Sequence, residues 1–158
     1  MSVRHWLLTG LLMASPAVAR DSLGMFEHWG AFRDPQVPRC YAIAVPEKGA
    51  GWMDVGNWPK RGIRGRIHLR LSHVPIGHVP TGAAARLALG GKRFELVAQG
   101  ADAWPKDSRD EAAITAAMRS ASNLTVSARG ADGHLFTDSY PLAGAASAMD
   151  SALVGCAG

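Results

Sequence analysis

The feature that most constrains the fold of this chain is its pair of cysteines, Cys40 and Cys156, the only two in 158 residues. A bond between them would hold an early segment of the chain beside a late one. A catalytic thiol or a metal ligand is the alternative use of such side chains. Redox pairs usually show C-x-x-C spacing and structural zinc takes four ligands, and neither pattern occurs here. The pair therefore predicts one structural disulfide.

The first nineteen residues have the three parts of a secretory signal. Arg4 lies in a short positive start, residues 6–13 are almost wholly apolar, and residues 17–19 form an Ala-x-Ala cleavage site. The apolar run is shorter than the ~20 residues that a membrane-spanning helix needs. An uncleaved anchor is the alternative interpretation. We expect cleavage after Ala19 and a periplasmic or secreted protein that is not an integral membrane protein.

The remaining residues, 20–158, have the length of a single domain. The formal charge at pH 7 is +4 for the whole chain and falls to +3 after cleavage, because the signal holds one arginine and no acidic residue. Such a mild positive charge fits attraction to anionic envelope surfaces. It is too weak to predict a nucleic-acid partner.

Alternation of apolar and polar residues predicts a fold made mostly of strands. The clearest case runs from Ile63 to Leu71, where every second residue is apolar or glycine. Gly90-Gly91 predicts a tight turn between strands 86–89 and 92–97. The other predicted strands are 25–32, 40–45, 124–129 and 135–140, and the predicted loops are 47–61 and 73–82.

Two helices are predicted in the second half of the chain. Ser108 to Glu111 match a capping box, which predicts a helix over about 109–121. Residues 143–154 are predicted to form a short helix leading to Cys156. So few helices could not cover a parallel sheet. We therefore expect an all-β fold, an antiparallel β-sandwich or flattened barrel with one good helix and a short C-terminal helix; an α+β layer arrangement is the alternative.

The strongest candidate binding surface is a basic stripe on the strand 63–71. The two-residue period of a strand places alternate side chains on one face, where a row of cations could grip carboxylates, phosphates or sulfated sugars. The alternative is an ordinary solvated face whose arginines pair with acidic residues on neighbouring strands. The stripe consists of Arg64, Arg66, His68 and Arg70.

Trp52 and Trp58 lie in the predicted loop 47–61. Aromatic side chains on a loop often form a platform for a sugar or a partner protein. The alternative is that at least one of them folds back as a lid over the end of the sandwich.

The sequence predicts neither a metal site nor a cofactor. His68, His73 and His78 recur every five residues, but positions five apart on a strand face opposite sides and no carboxylate lies at ligand spacing. The chain has no nucleophile elbow, zincin helix or phosphate loop. The acidic residues near position 110 are explained by the start of a helix. We therefore expect a protein that is not an enzyme.

Several short motifs, in a fixed order, resemble the invasion-associated locus B family of exported bacterial proteins. The resemblance covers nearly all of the chain after the signal and implies an all-β periplasmic or envelope-associated domain, linked in pathogenic relatives to host-cell entry. It implies no catalytic residue. The motifs are the aromatic opening 26–32 followed by Cys40, Phe94-Glu95-Leu96-Val97 followed by Ala103-Trp104, the helix 112–118, and Asp138-Ser139-Tyr140-Pro141-Leu142 followed by Cys156.

These observations predict an exported, non-enzymatic envelope protein that binds another protein, an anionic glycan or a lipid head group. A periplasmic stress-protection or chaperone-like factor is the first alternative. A hydrolase with an unrecognised site is the second. A shallow basic face beside tryptophans would favour binding, a broad apolar patch would favour the chaperone-like role, and a deep polar pocket would favour the hydrolase.

Overall fold

The computed structural model describes residues 20–73 and 85–157. Within these ranges the chain forms ten strands, two helices and one 3-10 turn. The strands are β1 (Asp21–Phe26), β2 (Trp29–Asp34), β3 (Arg39–Ala44), β4 (Trp52–Trp58), β5 (Ile63–Arg70), β6 (Ala85–Leu89), β7 (Lys92–Gln99), β8 (Asp102–Pro105), β9 (Asn123–Arg129) and β10 (Leu135–Pro141). The helices are α1 (Ser108–Ala117) and α2 (Ala145–Gly155), and the 3-10 turn is Pro59–Arg61.

All ten strands pair antiparallel in one sheet, in the order β1-β2-β3-β4-β5-β8-β7-β6-β9-β10. The two ends of this sheet approach each other: the Glu47 N–H donates to the Ser139 carbonyl at 2.8 Å, and the Trp29 indole donates to the Pro141 carbonyl at 3.0 Å. Apolar side chains from both halves share one core. The fold is therefore all-β, a sandwich or flattened barrel, as predicted.

The predicted hairpins are confirmed where the turn residues are distinctive. Gly90 and Gly91 have φ of 56° and 75°, a pair of left-handed conformations that suits a two-residue turn between twisted strands. They join β6 to β7. The predicted pair of strands around residues 130–133 is β9 and β10, in continuous register from Asn123 to Arg129.

Three strand predictions were wrong or incomplete. The segment 25–32 is the junction of two strands, β1 and β2, which turn at Glu27 (φ 51°) and its neighbour. The predicted loop 47–61 contains β4, a central strand whose Met53 and Val55 are buried in the core. The short strand β8 was not predicted, although it links β5 to β7.

Helix α1 begins one residue earlier than its capping signal suggested. Asp107 is the N-cap, and its side chain accepts a hydrogen bond from the Asp110 backbone N–H at 2.8 Å. Glu111 is therefore free of a capping role, and its Oε1 accepts from the Ile67 backbone N–H at 2.9 Å. This bond lies on the stretch of β5 that β8 does not pair with. The helix ends at Ala117 rather than near 121.

The predicted disulfide is present, between Cys40 in β3 and Cys156 at the C-terminal end of α2, with the Cα atoms 5.7 Å apart. It holds α2 against β1, β2 and β3. Small side chains on the packed side of α2 allow this close approach, and the Ser151 hydroxyl donates to the Leu23 carbonyl at 3.1 Å. The buried residues of the helix are Ala145, Ala148, Met149 and Ala152.

Some predictions fall outside the described residues. These are the cleavable signal 1–19 and all of the predicted loop 73–82 except His73. Over residues 20–73 and 85–157, no helix is both long and apolar enough to cross a membrane.

Candidate functional site

Most of the sequence-predicted site residues lie on one surface of strands β4 and β5. Cross-strand partners share a face of a sheet, and the register pairs Trp52 with Arg70, Asp54 with His68, and Gly56 with Arg66. The opposite face carries the buried Met53, Val55, Ile67 and Leu69. We call the first surface the outer face.

An aromatic cluster occupies one end of the outer face. The ring of His68 lies between two tryptophans: Trp52 meets it edge-on at 4.7 Å between centroids, and Trp104 stacks on it at 5.3 Å with planes 6° apart. All three rings are half-buried. Trp104 lies on β8, a strand that the sequence does not predict, and its only sequence signal is the motif Ala103-Trp104 of the family resemblance. Its place in the site follows from the pairing of β8 with β5.

Three of the four side chains of the stripe contact carboxylates. His68 Nε2 lies 2.9 Å from Asp102 Oδ1, and Arg70 Nη1 lies 3.2 Å from Asp102 Oδ2. Arg66 Nε lies 3.5 Å from Glu111 Oε2. These pairs correspond to the alternative interpretation of the stripe. One carboxylate nevertheless serves both His68 and Arg70, which leaves guanidinium donors of the half-exposed Arg70 for a ligand.

Arg64 lies apart from the rest of the stripe. The register of β4 and β5 shifts between Gly56 and Trp58, and Gly65 has φ of 68°, so the regular alternation is interrupted before Arg66. Arg64 borders a groove between α1 and α2, together with Val55 from the core side of β4. The structure thus brings together Arg66, His68 and Arg70 but not Arg64.

The two tryptophans of the predicted loop are separated as well. They lie at opposite ends of β4, about 20 Å apart along a strand of this length. The indole of Trp58 packs back over Gly56, where a Cβ would lie 2.7 Å from the ring. Arg39 lies near the same ring, 5.7 Å from its centroid. Trp52 and Trp58 therefore do not form a single platform.

Beneath the aromatic cluster lies a buried ion pair, Asp54 with Arg39. Asp54 is 1% exposed, its Oδ2 lies 3.4 Å from Arg39 Nη1, and its Oδ1 has no hydrogen-bond partner among the described residues. Burial raises the pKa of the Asp54 carboxyl, and the positive charges of Arg39 and His68 oppose that rise. The Arg39 guanidinium also lies 4.3 Å from the centroid of the Tyr41 ring.

The outer face is shallow. None of the four best-formed cavities along the described residues is lined by Trp52, His68 or Trp104. The predicted histidine series is dispersed: His73 packs edge-on against Phe136 at 5.3 Å, and His78 lies outside the described residues. Within residues 20–73 and 85–157, no group of three or more His, Cys, Asp or Glu side chains is arranged to hold a metal ion.

Comparisons of the chain with protein-family models, with curated proteins and with solved structures give no match.

Proposed function

We propose that the protein is an exported, non-enzymatic binding protein of the cell envelope, and that the surface around Trp52, His68 and Trp104 recognises an anionic glycan. The N-terminal signal pattern and the resemblance to the invasion-associated locus B family support export to the envelope. The disulfide supports it too, because such bonds persist in oxidising compartments.

The observation that carries the proposal is the combination of aromatic rings and charged side chains on rigid central strands. Half-buried tryptophans offer flat apolar surfaces, against which the C–H face of a sugar can pack. Arg70 and Asp102 lie beside them, 31% and 29% exposed, and can bind acidic groups and hydroxyls. A shallow face of this kind suits an extended ligand better than a small substrate that must be enclosed.

Two features make the alternatives less favourable. A client-holding factor needs a broad apolar patch. In the part of the chain that the structure describes, the exposed large apolar side chains are spread over several elements: Met25 on β1, Val97 on β7, Leu135 on β10, two residues at the end of α2, and two in loops. A hydrolase needs convergent polar groups in a pocket, and the four best-formed cavities in that same part of the chain do not include the aromatic cluster in their lining.

Heparin, a sulfated polysaccharide, is a suitable probe for this proposal. The oxidised protein should bind immobilised heparin at low salt. Arg70→Ser and Trp104→Ala should each weaken binding about tenfold, because charge-assisted hydrogen bonds and aromatic contacts are each worth on the order of 1–2 kcal/mol. Arg86→Ser is the matched control, since Arg86 is exposed on β6 in the other half of the sheet.

Affinity capture from envelope extracts then asks whether the natural partner uses the same surface. The double variant Arg66→Ser and Arg70→Ser, which leaves Arg64 unchanged, should lose the captured glycan that the unaltered protein retains. Equal heparin retention by all variants, together with the same captured partners, would contradict the proposal. If the unaltered protein captured a single protein and the variant did not, the partner at this surface would be a protein and not a glycan.

A further inference from the structure

A second, separate feature of the molecule is an open groove of about 530 Å³ between α1 and α2, above β4 and β5. We call it the interhelical groove. The buried side chains of Val55 and Met149 contribute to its floor. Its walls carry Ala112 and Ala116 from α1 and Leu153 from α2. The groove thus has mainly apolar walls.

The groove exists because the wall residues that face it are small. Ala112 and Ala116 are one turn apart, so their methyl groups lie on the same side of α1. Both are exposed, and Leu153 is 39% exposed, which leaves apolar surface uncovered on both walls. A Cβ added at Gly65 would still lie 3.9 Å from the nearest Thr115 atom, so β5 and α1 do not close the gap there.

Among the described residues, two of the charged side chains along the groove have partners of opposite charge, and a third does not. Glu111 accepts from Ile67 N–H and pairs with Arg66, and Arg119 forms a two-point pair with Asp150 at 2.7 and 3.2 Å. Arg64 is exposed and forms no ion pair with any residue that the structure describes. Arg64 is therefore the charge along the groove that is available to a ligand.

Asn57 supplies a second donor at the same end. Its Oδ1 accepts from the Gly65 N–H at 3.0 Å, which orients the amide and leaves its Nδ2 donor group for another partner. Asn57, Arg64 and Leu153 also line an adjoining cavity of about 260 Å³ beside Cys156. A carboxylate at this end would meet a guanidinium and an amide donor, with the apolar walls extending away from it.

We propose that the interhelical groove binds a single-chain fatty carboxylate, with its tail between α1 and α2 and its carboxylate at Arg64 and Asn57. The groove volume lies in the range of small-molecule sites. One available cation at the end of an apolar trough complements one anionic head group and one tail. This site shares only Arg64 with the predicted stripe, and its occupancy is independent of the aromatic cluster on the outer face.

Titration calorimetry of the oxidised protein with dodecanoate, below its micelle concentration, tests the proposal. Dodecanoate should bind at a single site. Arg64→Gln should weaken binding about tenfold or more, because a charge-assisted hydrogen bond is lost. Ala112→Leu should abolish binding by filling the groove. Arg86→Gln should bind as the unaltered protein does, and dodecyltrimethylammonium, with the opposite head-group charge, should bind at least tenfold more weakly.

The filling variant is designed to fold, since Ala112 is exposed and leucine is a good helix former. Circular dichroism would verify this, and Ala116→Leu is a second filling variant on the same wall. The proposal is overturned if the unaltered protein does not bind dodecanoate, if the filling variants bind it equally well, or if both amphiphiles bind alike. Heparin retention by Ala112→Leu should be unchanged, so failure of this proposal is distinguishable from failure of the glycan proposal.

Discussion

Replacing both cysteines by alanine, in the variant C40A/C156A, tests how far the disulfide stabilises the fold. The bond joins residues 116 positions apart. The chain-entropy treatment for a loop of this length gives about 16 cal/mol/K, or about 5 kcal/mol at 25 °C. Unfolding entropy for a domain of this size is about 0.3 kcal/mol/K. The expected fall in Tm is therefore about 16 °C, plus a small loss from the space left at the fully buried Cys40.

Thermal unfolding followed by circular dichroism measures this fall, with the reduced unaltered protein as a matched sample. Amide hydrogen exchange adds a local readout. Without the bond, α2 should exchange faster than the central strands, because its remaining attachments are small buried side chains and bonds such as Ser151 to Leu23. A fall of less than about 5 °C, with unchanged protection of α2, would refute the argument that the bond limits the unfolded chain.

Two further predictions concern buried polar groups. Asp54→Asn should be more stable than the unaltered protein at pH 7 and equal to it at low pH. Because the pKa of Asp54 is raised by folding, the folded state favours the protonated carboxyl. The unaltered protein therefore becomes less stable as the pH increases above the ordinary pKa of Asp, by about 1.4 kcal/mol for each pH unit by which folding raises the pKa. Urea unfolding from pH 3 to 7 measures the difference, and parallel pH profiles would contradict it. Glu111→Ala should lower the free energy of unfolding by about 1–3 kcal/mol, because the buried Ile67 N–H loses its acceptor. Glu111→Gln keeps an acceptor oxygen and should lower it less in the same assay. Equal decreases for the two variants would show that this hydrogen bond does not stabilise the fold.

The strand that the sequence predicts most clearly has one-sided burial. In β5 the exposed or half-exposed arginines alternate with Ile67 and Leu69, which are fully buried, so the two-residue period is visible. The sequence predicts a loop where β4 lies, because the segment 47–61 is rich in glycine and proline, which are poor strand formers. Its position between β3 and β5 stabilises it there, since tertiary pairing overrides a weak local preference.

The sequence predicts several residues of the candidate site but not the contacts between them. His68, Arg70 and Trp52 were identified, yet their pairing with Asp102 and Trp104 depends on β8, a four-residue strand that ends at Pro105. Its pairing with β7 is local, but its pairing with β5 joins residues far apart in the chain, which no local pattern predicts. The separation of Arg64 from the other residues of the stripe likewise depends on a shift in the register of β4 and β5. A prediction that assumes a strict two-residue period cannot include such a shift.

The distance along the chain between the bonded cysteines sets an order of events during synthesis. At about 5–20 residues per second, the ribosome adds Cys156 roughly 6–23 s after Cys40. In a chain that enters an oxidising compartment while it is being made, the thiol of Cys40 has no partner within its own molecule throughout that interval, and an oxidant could join it only to another molecule. Because α2 packs on β3, the complete burial of Cys40 also depends on the last residues to be made. The same helix therefore both covers the reactive thiol and supplies its partner.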